Sequence, residues 1–208
     1  MYTFTIGIPV RNGERYLQEA LESALKQTRP ADEILVVDDA STDETARIAR
    51  SKNWGGKVRY IYNENPTGFA DAFTRVAQHA RSDYITFLAC DDLLGPDFLL
   101  HVENAIERYP TSRHVYTGCH YIDENGSIHG ASPEPFSFNP VLYPGKKYSQ
   151  SYLRSVFIGN NIHRFHGFVI DRHLLLNECP IRKDAGLIMD DDLFVRVGEF
   201  TDVVGISQ

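Results

Sequence analysis

Short apolar runs, each followed by a stretch with helical spacing, alternate through the first half of the chain, and that rhythm leaves few folds open. Phe4 to Val10 is the first run, closed by Arg11-Asn12-Gly13, after which Leu17, Ala20, Leu21, Ala24 and Leu25 recur on one helical face. Pro30 interrupts the pattern. Glu33 to Val37 is a β-rich run of the kind buried in parallel sheets, and it stops at Asp38-Asp39. Ser41 and Glu44 have the spacing of a capping box, which predicts a helix start there. Val58 to Tyr62 predicts a third strand, and Asn63 to Gly68 a loop. Phe69, Ala72, Phe73, Val76, Ala77 and Ala80 then mark a helix face. Tyr84 to Ala89 is the fourth run. Asp91-Asp92 follows it, with Pro96 placed as the first residue of a helix that carries Leu99, Val102 and Ile106. Strands alternating with helices predict an α/β fold built on a mostly parallel, doubly wound sheet with helices on both faces.

Beyond Tyr116 the regularity fades. Asp123-Glu124-Asn125-Gly126 reads as a hairpin turn, and the prolines at 133, 135, 140 and 144 mark residues 130–148 as a loop over a site. Gly167 to Ile170 is a weak strand. Asp190 to Phe200 is a helix with Leu193, Val197 and Phe200 on one face, and Val203 to Ile206 a last strand. With 208 residues, 42% of them hydrophobic, the chain suits one domain, divided into parts at about 1–118 and 119–208.

The net charge of -7 speaks against a nucleic-acid partner, which calls for a broad basic surface. Cys90, Cys119 and Cys179 are odd in number and have no metal-ligand spacing, so a reduced compartment fits. The start lacks the pattern of a signal peptide, and no run reaches the roughly 18 apolar residues of a membrane span. These features predict a cytoplasmic protein, compatible with peripheral contact at the inner face of a membrane; oligomeric state is not encoded.

Open parallel sheets bind ligands beyond the carboxyl ends of their strands. Two acid pairs from different β-α units are expected at that rim. One such pair is as well explained by a turn or a cap, but two at two strand ends are not. Carboxylates gathered there repel one another unless a hard cation, Mg²⁺ or Mn²⁺, takes their oxygens, and a diphosphate can share that cation. Asp190-Asp191-Asp192, after the apolar Gly186 to Met189, is a third acidic cluster and the candidate source of a general base.

These residues resemble the family 2 glycosyltransferases, inverting enzymes of the GT-A fold. Ile8 to Leu17 is similar to the family's first-strand signature and Val36 to Asp43 to its second. Asn65 to Gly68, Ser82 to Leu88 and the metal motif at Asp91-Asp92 extend the likeness, and Asp190 to Arg196 resembles the late acidic motif. The resemblance implies transfer of a sugar from a nucleoside-diphosphate sugar, UDP-sugar favoured, to a glycan or lipid-linked acceptor. It puts Pro9, Val10, Asn12, Asp38 and Asp39 around the nucleotide base, Asn65 and Gly68 in the same wall, and Arg75 near the ribose or phosphates. Asp91 and Asp92 take the ribose and the metal. Asp190 aligns with the catalytic base, with Asp191 as the alternative one position on, while Asn160, Asn161, His163 and His166 fall in the acceptor-facing segment.

Two positions depart from the family pattern: Ala89 stands where many relatives have Asp, and an Asn common near Phe73 or Thr74 is missing. Relatives also continue beyond the late motif, so the resemblance implies a C-terminally shortened chain. Ala89 keeps a catalytically degenerate nucleotide-binding domain in view. A nucleotidylyltransferase needs a glycine-rich, basic loop after the first strand, and a phosphoacceptor receiver needs its acids there; Arg11-Asn12-Gly13-Glu14 supplies neither. Outside the motifs, Trp54 reads as a surface plug. Phe136, Phe138, Tyr143 and Tyr148 read as packing anchors of the proline-rich loop.

Overall fold

In β1 (Phe4–Val10) all seven residues are buried, which is what a strand covered on both faces requires. It lies inside an eight-stranded sheet of order β3-β2-β1-β4-β9-β5-β10-β8. The computed structural model describes residues 1–131, 140–157 and 167–206. Asn160, Asn161, His163 and His166, together with Phe136 and Phe138, fall outside these segments.

The other strands are β2 (Glu33–Asp39), β3 (Val58–Asn63), β4 (Tyr84–Phe87), β5 (His114–Thr117), β8 (Val141–Tyr143), β9 (Phe168–Asp171) and β10 (Val203–Ile206). β1 pairs in parallel with β2 and β4, β2 with β3, and β5 with β10. β9 runs antiparallel to both β4 and β5, and β8 antiparallel to β10. The expected mostly parallel sheet is therefore present, with one reversed strand in its middle and one at its edge. A two-stranded ribbon, β6 (His120–Ile122) and β7 (Ile128–Ala131), closes on the predicted turn.

Helices cover both faces. The core on one side joins α1 (Leu17–Leu25), α4 (Phe98–Arg108) and Trp54 to the sheet. The opposite core joins α3 (Phe69–His79), α5 (Gly145–Phe157) and α6 (Met189–Val197). Glycines allow two close crossings. A Cβ on Gly7 of β1 would stand 2.1 Å from Val76 Cγ1 of α3. A Cβ on Gly198, just past α6, would stand 2.1 Å from the Gly145 carbonyl oxygen.

Several local expectations are corrected. α2 is short (Thr45–Ala49), its N-cap Glu44 makes no side-chain cap bond, and Ser41 Oγ instead accepts from the Asn12 amide at 2.8 Å, so no capping box forms. α4 starts at Phe98 behind Asp97, two residues after Pro96. α6 ends at Val197 because the chain turns at Gly198, leaving Phe200 44% exposed. Residues 141–148, expected as loop, form β8 and the first turn of α5, where Tyr148 is buried. Trp54 is no surface plug: it is buried, and its indole N–H donates to the Ile48 carbonyl at 2.7 Å.

Candidate active site

The strand order around β1, with β2 on one side and β4 on the other, opens a crevice at the carboxyl ends of these strands. There a cleft of about 320 Å³ is lined by Pro9, Val10 and Arg11 from β1 and its loop, Asp39 from β2, Gly68, Phe69, Ala72 and Phe73 at the start of α3, and Ala89 to Asp91 after β4. Pro9, Val10, Asp39, Gly68 and Asp91, scattered over 83 positions of sequence, thus share one wall.

Asp39 organises that wall. Its carboxylate accepts from the Thr67 amide and hydroxyl, each at 2.9 Å, from the Gly68 amide at 3.0 Å and from Asn63 Nδ2 at 3.3 Å. Burial alone would raise its pKa, but these donors outweigh burial and hold the carboxyl below its usual range. They also fix Gly68, whose φ of 89° a side chain would resist, at the entry to α3.

Asp38 plays a different part. It is fully buried, accepts from the Ser41 amide at 2.8 Å and the Tyr60 hydroxyl at 2.6 Å, and does not line the cleft. Asn12, at φ 55°, ties the loops after β1 and β2 together: its amide donates to Ser41 and its Oδ1 accepts from the Thr42 amide at 2.9 Å. Asn65 is exposed on the loop before α3, and Arg75 is half-buried with NH1 3.4 Å from Asn63 Oδ1; neither lines the cleft.

The second acid pair lies in a turn closed by the Asp92 amide and the Ala89 carbonyl, beyond the end of β4 rather than at it. Asp91 borders the first cleft and a second one of about 350 Å³ shared with Glu19, Asp123 and Glu124. Asp92 borders that second cleft and a third, about 710 Å³, lined by Leu93, Leu94, Phe98 and the β6–β7 ribbon. The pair is therefore the divide between compartments. Cys90, on the first cleft, has its thiol pushed up to about 11 by burial and by Asp91, which favours the protonated form.

Among the described residues no three His, Cys, Asp or Glu side chains converge on one point. Two adjacent carboxylates fit a hard cation that completes its shell with phosphate oxygens and water, and do not fit a closed protein cage.

The late acids sit in the first turn of α6, and they differ. Asp191 Oδ1 accepts from the Tyr152 hydroxyl of α5 at 2.5 Å. Asp192 is clamped by Arg196, with contacts of 2.6 and 2.8 Å, and lies 3.6 Å from Arg182. Asp190 is half-buried. Lys183, in the 3₁₀ segment before α6, forms an ion pair with Asp71 in the first turn of α3, which brings this segment to the helix that frames the first cleft.

Sequence reasoning missed Phe69. Periodicity placed it on the core face of α3, but it is 62% exposed at the cleft mouth, with its ring 4.6 Å from that of Phe73. Its position directly after Gly68, ahead of the first full turn, was the available signal.

A mixed sheet with its crevice at the carboxyl ends of β1 and β2, and an acid-bearing turn after β4, defines the GT-A class of α/β folds. TarS of S. aureus (residues 1–349) has this fold with a TM-score of 0.72 and 20% identity, over 99% of the present chain and 58% of that one. That protein has also been solved with UDP and with UDP-GlcNAc. The chain belongs to glycosyl transferase family 2, whose model matches residues 5–175. A Rickettsia conorii protein named as an uncharacterized glycosyltransferase is 38% identical over 128 residues, covering 59% of this chain and 20% of that one. The glycosyltransferase GlyG of Streptococcus pneumoniae is 33% identical over 96 residues, 46% of this chain and 32% of its own. The chain thus spans only a minor part of these relatives.

Proposed function

We propose that the chain is the donor-binding and catalytic part of an inverting glycosyltransferase that uses a UDP-sugar. The carrying observation is the Asp39-organised cleft separated from two neighbouring clefts by Asp91 and Asp92. TarS, of the same fold, supports the choice of UDP-sugar because it was solved with UDP and UDP-GlcNAc.

In this reading Pro9, Val10, Gly68 and Asp39 enclose the base, with Asn12, Asp38, Asn65 and Arg75 supporting the wall or reaching the ribose. Asp91 and Asp92 would hold Mg²⁺ or Mn²⁺, which when bound would supply positive charge to offset that of a departing nucleoside diphosphate. Asp190 takes the proton from an acceptor hydroxyl as its oxygen bonds the anomeric carbon. The bond to the diphosphate breaks in the same displacement, which inverts that carbon. The acceptor is a glycan or lipid-linked hydroxyl, met in the cytoplasm or at the inner face of a membrane. No helix among the described residues is long and apolar enough to cross a membrane.

Ala89, which lines the first cleft, favours one alternative, a domain that binds nucleotide without catalysis. Calorimetric titration of UDP and GDP with and without Mn²⁺, followed by assay of UDP release from UDP-sugars, separates the readings. Metal-dependent UDP binding with turnover is expected. Binding without turnover selects the degenerate domain, and binding of neither nucleotide removes both readings.

A further inference from the structure

Three consecutive aspartates on one helix point in three directions, about 100° apart. Asp192 faces Arg196 one turn on, and Asp191 faces α5. Met189, the first residue of the helix, is 1% exposed and packs in the core. Ile188 gives α6 no side-chain cap, and Gly186, two residues earlier, has φ 62° and ψ −130°, so the chain bends sharply just before the helix. The first turn is held by the burial of Met189 and by side chains that reach it from elsewhere.

Tyr152 is the stiffest of these. It is 1% exposed, its ring meets Phe194 edge-on at 5.6 Å and stacks on Tyr148 at 6.1 Å, so the core fixes where its hydroxyl points. Arg182 and Lys183, by contrast, are at least half exposed. We infer that Tyr152, through its hydrogen bond to Asp191, is a positioning residue that sets the direction in which Asp190 faces the acceptor. This rests on the reading of Asp190 as the base. Asp191 then orients and does not take the proton.

The test uses the 208-residue chain. Tyr152→Phe should accelerate amide hydrogen exchange across residues 189–192 while exchange in β1 and β2 and the affinity for UDP with Mn²⁺ stay unchanged. UDP release should fall 10- to 100-fold in kcat, the cost of a misplacement of about 1 Å, with donor KM unaltered. Asp191→Ala should give the same loss, and the double variant no further loss, because one bond is removed in each case. Tyr148→Phe, one turn earlier on α5, controls for loss of any buried hydroxyl and should leave both readouts near wild type.

Unchanged exchange at 189–192 in Tyr152→Phe overturns the inference, as does additive loss in the double variant. If Asp190→Asn keeps its turnover, the base assignment falls instead. The exchange measurement still decides whether Tyr152 holds the turn.

Discussion

At Asp39 a carboxylate that burial alone would push towards neutrality stays charged because the Thr67 and Gly68 donors converge on it. The sequence carries the acid but not its partners, since a pairing across 28 positions leaves no local trace. The same limit hid the division of labour among the late aspartates: the triplet is plain in the sequence, whereas Tyr152 stands 39 positions from Asp191. Phe69 failed for another reason, because helical periodicity cannot tell a first turn that overhangs the sheet from one that rests on it. Its exposed ring suits a nucleobase. Phe69→Ala should weaken UDP binding by about 1–3 kcal/mol, the range for a base stacked on an aromatic side chain, and calorimetry that returned wild-type affinity would place the base elsewhere. Asp190→Asn should abolish sugar transfer to the acceptor, and the UDP release that accompanies it, while leaving nucleotide affinity intact. Asp92→Ala should reduce the gain in UDP affinity that Mn²⁺ brings, and an unaltered gain would locate the cation away from the turn after β4.

Most elements were legible from their periods: β1 to β4, α1 and α3 stand within a residue or two of where apolar spacing puts them. Strand direction was not. β9 is a four-residue run whose first three side chains are buried, and such a run reads alike in either orientation, so nothing local announced that it would enter reversed between β4 and β5. The crossing of α3 over β1 was likewise invisible until Gly7 met Val76. Replacing Gly7 by Ala forces the two elements apart against packed neighbours, and should cost about 1–3 kcal/mol in urea unfolding. Nucleotide affinity should fall with it, since the cleft takes one wall from each element; a stability loss with the cleft unperturbed would mean that α3 tilts about its far end.

At the scale of the whole molecule, one buried ring ties folding to pH. His114 lies on β5 among Phe168, Phe194 and Tyr148, and burial pushes its pKa down to about 3. An unfolded histidine titrates near about 6.5. Below that value the unfolded chain takes up a proton that the folded one refuses, so this contribution to stability is complete above pH 6.5 and drains away as pH falls towards 3. Urea midpoints measured from pH 7 to pH 4 should therefore drop less steeply for His114→Gln than for wild type. The carboxylates, Asp39 among them, act equally in both proteins, so parallel curves would show that the ring carries no such linkage. The reversed strand at the centre of the sheet also orders events in time. A ribosome delivers β4 and β5 early, yet the strand that joins them emerges roughly 50 residues after β5, about 3–10 s later at usual synthesis speeds. Until then the nascent chain holds one four-stranded half-sheet, β3-β2-β1-β4, with its β4 edge unpaired, and β5 without either of its sheet neighbours, and a fragment ending near residue 118 keeps that condition for good. Newborn copies are thus most exposed to strand-seeking neighbours in the interval just before α6 is made.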